Sequence, residues 1–287
     1  MPQQTGERIM HDDRIENGGN CSGSRSNISN ETVKDICHVL EKTLIECVSQ
    51  KIKLSRIIKL FLMAEKNLHN EDKASYMVKQ CLQDPNNVKT TDVHWDTTSP
   101  LHNEDNLWNI SAMRGVQGRL SSMVDDNELS NRFSDLEKSE DPSLGLMLWL
   151  FPTLATEERL KKVYGIVCKD NRSWTLQDKM LFWLACVQNQ NTNRWIVTHV
   201  EAQIRCLQLE SGAFANVEGK DEDGDVISSA MDLLVLVYCA RQNDTAFAAA
   251  QKTVSWIVAH LKGVKGVEAL SRAWALYALS EFIKLNG

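Results

Sequence analysis

From about residue 30 onward, apolar residues recur along this chain at steps of three and four, the spacing that gathers them on one side of a helix. Val33, Ile36, Cys37, Leu40, Leu44, Ile45 and Val48 follow that rhythm, and Ser29 or Asn30 stands where a side-chain oxygen caps a helix start. In KIKLSRIIKLFLMAEK and just beyond it, Leu54, Ile57, Ile58, Phe61 and Leu68 form one face, with Lys51, Arg56 and Lys59 towards the other, so a basic amphipathic helix is predicted over 51–66. A third helix runs from about Asp72 to Gln83 and stops at Asp84-Pro85, because proline disfavours helical geometry in the residue before it.

The rhythm weakens between 86 and 140, where Asn, Asp, Ser and Thr predominate and only short periodic pieces occur near 107–113 and 129–136. A polar linker with short helices is the expectation there. From Leu144 the pattern changes again. LGLMLWLF is apolar on every side and predicts a largely buried helix ending at Pro152. Thr156 caps EERLKKVYGIVC, whose two glutamates occupy the favourable end of the helix dipole. Thr175 with Asp178 makes an Asp version of the capping box for TLQDKMLFWLACVQ, and Asn191 or Thr192 opens the next helix. After a glycine-bearing loop at 211–225, Asp225 and Asp244 cap two more helices, and the Gly263–Gly266 turn leads to a last one. The helix at 226–240, apolar on nearly every face, belongs at the centre.

These patterns predict an all-α multi-helix bundle: an arm at 1–29, an N-terminal helical subdomain at 30–85, a polar linker at 86–140 and a larger C-terminal bundle at 141–287. Residues 1–29 hold hardly any apolar side chain, too few to order a segment by burial.

Charge narrows the functional classes. A formal net charge of −6 argues against a chain-wide grip on nucleic acid or anionic lipid. A local patch remains: Lys51, Lys53, Arg56 and Lys59 form a candidate basic binding face for nucleic acid or an anionic membrane. The longest apolar run, Leu233 to Ala240, is under half of the roughly 20 residues that span a bilayer. The first thirty residues hold no apolar stretch after a basic start, so a cytoplasmic or nuclear location is expected. Eight scattered cysteines without a C-x-x-C pair fit reduced, buried thiols.

Motif chemistry is sparse. Asp221, Asp223 and Asp225 alternate as calcium ligands do, and Asp232 falls at the twelfth position, but Val226 stands where the loop needs glycine. A solvated acidic turn is the reading, those three aspartates being the candidate ligands if a metal is held. No H-E-x-x-H, P-loop, G-x-G-x-x-G or G-x-S-x-G occurs, and no cofactor is expected.

One stretch carries a resemblance. CLQLESGAFANVEGKDEDGDVISSAMDLLVLVYCA, residues 206–240, has Cys206, Gln208, Gly212 and Phe214 ahead of an apolar helix, and it resembles one repeat of the α/α-toroid proteins: isoprenoid transferases and cyclases, and thioester domains of complement type. The resemblance implies a ring of paired helices, with a cavity near Phe214 and Asp223 to Asp225 if a ligand is bound. It does not carry the activity across, since the D-x-D-D acid motif, the Asp/Cys/His zinc set and the G-C-G-E-Q thioester are all missing. The expected function is a non-catalytic interaction or assembly protein that works through helix faces, with a protein partner or self-association, and by fold-level analogy of the viral structural or nucleocapsid-associated kind. The alternative is a toroid-type enzyme or ligand-binding module.

Overall fold

The computed structural model describes residues 28–48, 54–70, 72–76, 100–116, 126–169, 173–189, 194–215, 224–241, 243–263 and 267–286. The helices are α1 (Asn30–Val48), α2 (Leu54–Leu68), α3 (72–76), α4 (Pro100–Val116), α5 (Asp126–Lys138), α6 (Ser143–Leu150), α7 (Glu157–Val167), α8 (Leu176–Gln188), α9 (Arg194–Leu207), α10 (Val226–Ala240), α11 (Asp244–Gly263) and α12 (Ala269–Asn286). No strand occurs among the described residues, apart from an isolated bridge between Gln208 and Phe214 that closes the turn after α9. The protein is an all-α multi-helix bundle.

Its packing is a closed ring. α2 packs on α4, α4 on α6, α6 on α8, α8 on α10, α10 on α12, and α12 returns to α2. The odd-numbered helices lie outside: α1 on α12 and α2, α5 on α6, α9 on α8 and α10, α11 on α10.

The sequence pattern explains which helix goes where. Three of the inner helices, α6, α10 and α12, meet neighbours on most sides and are apolar nearly all round, while α2 and α4 keep charged residues that pair across their contact. Every residue of α6 is buried, as are Ala273 to Ile283 in α12 and most of α10. An outer helix needs only a stripe. In α5 this is Leu129, Phe133 and Leu136; in α9 it is Ile196, Val200 and Ile204, with Glu201 beside them. Where α6 crosses α8 the residue is Gly145, and a Cβ there would sit 2.8 Å from the Asp178 carbonyl and 2.9 Å from the Phe182 nitrogen. Only glycine lets the two backbones approach so closely.

All six inner helices run the same way. Asn67, at the end of α2, donates to Ser280 Oγ (3.0 Å) and Glu281 Oε1 (2.8 Å) near the end of α12. Gln188, the last residue of α8, donates to the Tyr277 hydroxyl (3.2 Å), and Arg241 at the end of α10 lies 3.8 Å from Glu281. Asn189 donates to the Ala155 carbonyl in the connection after α6, and Arg114, in the last turn of α4, lies over the Phe151 ring at the end of α6. Six C-terminal ends therefore share one rim.

Four cap readings hold. At the start of α1, Ser29 Oγ accepts from Thr32 N. Thr156 accepts from Arg159 N, the Thr175–Asp178 capping box is complete, and Asp225 accepts from Ser228 N. The start of α11 differs by one residue: Asn243, not Asp244, accepts from the Thr245 amide and hydroxyl. The segment expected as a polar linker holds the 17-residue α4 and 13-residue α5. The few apolar residues of α4 are enough because Leu107, Trp108, Ile110 and Ala112 are all buried. The N-terminal helices do not stand apart from the C-terminal ones, since α1 and α2 pack on α12 and share one continuous apolar core with it.

Candidate functional site

The ring axis is solid where it is best defined. Trp108 of α4, Trp149 of α6 and Trp274 of α12 meet there, with ring centroids 5.3 to 6.2 Å apart, Trp149 stacked on Trp274 and Trp108 edge-on to both. Aromatic pairs at such distances favour offset and edge-to-face contact because ring faces are negative and edges positive. All three indoles are buried.

The predicted basic face is rearranged. Lys51 and Lys53 lie outside the described residues. Arg56 is directed at α4, with ion pairs to Glu104 (3.4 Å) and Asp105 (3.0 Å) and its guanidinium over the Trp108 ring. Lys59 is half-buried, and burial together with Lys66 and Arg114 pushes its ammonium down to about 8. Arg56 and Lys59 thus do not stand out in solvent as a free basic stripe. The helical wheel could place them opposite the apolar face but not against α4.

The acidic turn is likewise redistributed. Asp221 and Asp223 lie outside the described residues. Asp225 is spent on the α10 cap. Asp232 is buried in the bundle, one carboxyl oxygen has no hydrogen bond, and burial raises its pKa well above the usual carboxylate value. No group of three or more metal-ligating side chains forms among the described residues. Phe214, where the toroid resemblance placed a cavity, is buried, its amide bonded to Ser229 Oγ at 2.9 Å. Packing is tight beside it, since a Cβ on Gly224 would fall 2.4 Å from that of Ala213.

Two features were not singled out from the sequence. The first is the rim where the inner helices end. Around Glu281, Asn67 and Ser280 form hydrogen bonds, Lys284 donates to Asn67 Oδ1 (3.3 Å), and Tyr238 and Tyr277 lie close enough to be held protonated by burial and by the Glu281 carboxylate. A cleft of about 550 Å³ between α8, α9 and α10 opens beside this network, with Gln188, Tyr238 and Arg241 belonging to both. A shallower one of about 740 Å³ borders it past Gln188 and Asn189, towards Thr156. Glu201 lines the first cleft but is satisfied: Asn243 Nδ2 reaches both its oxygens at 2.8 Å and Arg205 Nε reaches one at 2.9 Å.

The second is on the outside. Trp195 of α9 is 61% exposed, stacks on His199 and meets Tyr164 of α7 edge-on at 5.2 Å. Gly165 of α7, Cys168 just after it and Ala202, Gln203, Cys206 and Leu207 of α9 are also exposed and uncharged, with the exposed Lys161, Arg194 and Arg205 among them. A signal existed: Trp195, Ala202 and Cys206 recur at helical spacing on the side of α9 opposite its buried stripe.

No family model matches the chain, and no curated protein matches it.

Proposed function

We propose that this chain is a non-catalytic interaction module, an α/α ring that associates through the outer face of α7 and α9. The observation that carries the reading is Trp195, a large apolar side chain 61% exposed beside the exposed small and apolar residues Gly165, Ala202, Cys206 and Leu207. Exposed aromatic surface of this kind is a recurrent feature of association sites, where Trp and Tyr supply much of the binding energy. Self-association is the form proposed. A chain with net charge −6 repels its own copies through its acidic surface, and the face around Trp195, which carries no exposed carboxylate among Gly165, Cys168, Trp195, Ala202, Gln203, Cys206 and Leu207, is where two copies meet with less of that cost. This face is far smaller than the roughly 800 Å² per partner of a standard interface, so the association is weak and concentration-dependent. The viral structural version of the reading rests on fold-level analogy alone.

The closed ring favours a second reading, the ligand-binding toroid. Against it stands the tryptophan-filled axis, where such a protein needs room. Sedimentation velocity across a wide concentration range tests the first reading: the wild-type mass should rise with concentration and that of Trp195→Ala should stay monomeric. A strict monomer at every concentration, together with saturable quenching of tryptophan fluorescence by farnesyl diphosphate, would replace the first reading with the second.

A further inference from the structure

α9 has three sides with different surroundings. Ile196, Val200 and Ile204 are buried, Trp195 and His199 lie on the outer face, and Arg194, Val197, Thr198 and Glu201 line the 550 Å³ cleft. Those four stand at i, i+3, i+4 and i+7, one side of a helix. Tyr238, Cys239 and Arg241, at the end of α10, line the cleft from the neighbouring helix.

Three charged side chains border the cleft: Arg194, Arg241 and Glu201. Glu201 is turned to other partners, with Arg205 Nε 2.9 Å from one oxygen and Asn243 Nδ2 2.8 Å from each, and it forms no ion pair with either cleft arginine. Arg194 is exposed and without an ion pair among the described residues. Arg241 keeps nearly half its side chain in solvent, lies on the Tyr238 ring 4.8 Å from its centre and meets Glu281 only at 3.8 Å, too long for a hydrogen bond. In a chain of net charge −6, the cleft thus holds two guanidiniums whose N–H donors are largely unspent.

We propose that the cleft between α8, α9 and α10 binds a phosphate group, held between Arg194 and Arg241. A phosphate monoester presents three strong acceptor oxygens and roughly two negative charges at neutral pH, so it takes guanidiniums from more than one side, each through paired N–H donors. A carboxylate is planar and singly charged, and one guanidinium satisfies it. At about 550 Å³ the cleft has the size of a small-molecule site, which leaves Val187, Val197 and Tyr238 to pack against an organic body. α8 and α10 end here with partial negative charge on their last carbonyls; that works against an anion, so neither arginine suffices alone. The site uses a different side of α9 from Trp195, and neither it nor self-association depends on the other.

The test is calorimetric titration of the full chain with inorganic phosphate, with AMP as a phosphate monoester carrying an organic body, and with adenosine, which has the body without the phosphate. AMP and phosphate should bind saturably and adenosine should not. Arg194→Gln and Arg241→Gln should each weaken that binding at least about tenfold, and the double variant should abolish it. Melting temperatures check the fold, and Arg194→Gln, which has no ion pair to lose, decides the matter if Arg241→Gln disturbs the rim. Lys161→Gln removes an exposed cation of α7 outside the cleft and should leave the affinity unchanged. Tighter binding of AMP than of phosphate assigns the group to a small phosphate ester, the reverse to free phosphate, and either supports the site. Absence of saturable binding by both, adenosine binding as tightly as AMP, or an equal loss in Lys161→Gln overturns it.

Discussion

In α6 every residue from Ser143 to Leu150 is buried, whereas in α7, the helix that follows it, only Leu160, Val163, Ile166 and Val167 are. The two differ because one stands in the ring and the other lies against it. In α6, with neighbours on every side, no face is left for charge, whereas α2 and α4, also in the ring, keep charged residues such as Arg56, Glu104 and Asp105 that pair with one another. An outer helix has solvent over half its circumference. Disruption should therefore be costly inside the ring and mild outside it, and functional surface should collect on outer faces and at the rim.

The comparison is broken most directly at the axis. Trp274→Ala removes an indole that touches Trp108 and Trp149, and should cost about 3–5 kcal/mol in urea unfolding, the range for deleting a buried large aromatic. A loss no greater than that of an exposed substitution would mean that the axis is not the core.

The boundary between layers gives the next effect. Glu65 points outward from α2 beneath α1, is 2% exposed and has no hydrogen bond on either oxygen. Cys37 of α1 is its titratable neighbour, and Lys73 of α3 acts on Cys37 as well, paired with Glu41, with His38 beside that pair. Desolvation raises Glu65 to about 7 from an ordinary 4.5. Between those values the folded chain keeps a proton that the unfolded chain has lost, so stability falls as pH rises from about 4.5 to about 7 and levels off above. The total is on the order of 3 kcal/mol at 1.36 kcal/mol per unit. Glu65→Gln should match wild type near pH 4.5 and exceed it at pH 7.5 by that order; parallel melting-temperature profiles for the two proteins would show that the carboxyl is not held neutral.

The smallest effect sharpens the comparison at a helix end. Thr175→Ala should cost about 1 kcal/mol, because the α8 capping box exchanges a backbone and a side-chain hydrogen bond with Asp178. Chemical denaturation would register it as a shift in midpoint with unchanged slope.

Much of the fold was legible along the chain. The caps at Thr156, Thr175 and Asp225 could be read because capping is local, a hydrogen bond between residues three apart. α6 and α10 announced their burial by having no polar face. α4 was harder to see, since its stability comes from Trp108 and a few neighbours pressing on distant helices and not from its own periodicity. The fate of Arg56 was equally hidden, because Glu104 and Asp105 are 48 and 49 positions away.

The sequence by itself determined that the chain is helical, where most helices begin and which are buried, because hydrogen-bonded turns, caps and amphipathic stripes are set by residues a few positions apart. Only the tertiary structure decided that α12 closes onto α2, that three tryptophans fill the axis, and that Asn67 comes to hold Glu281 at the rim. Those depend on contacts between residues more than two hundred positions apart, such as Asn67 with Ser280 and Glu281, 213 and 214 positions on, and no local spacing encodes which distant faces will meet.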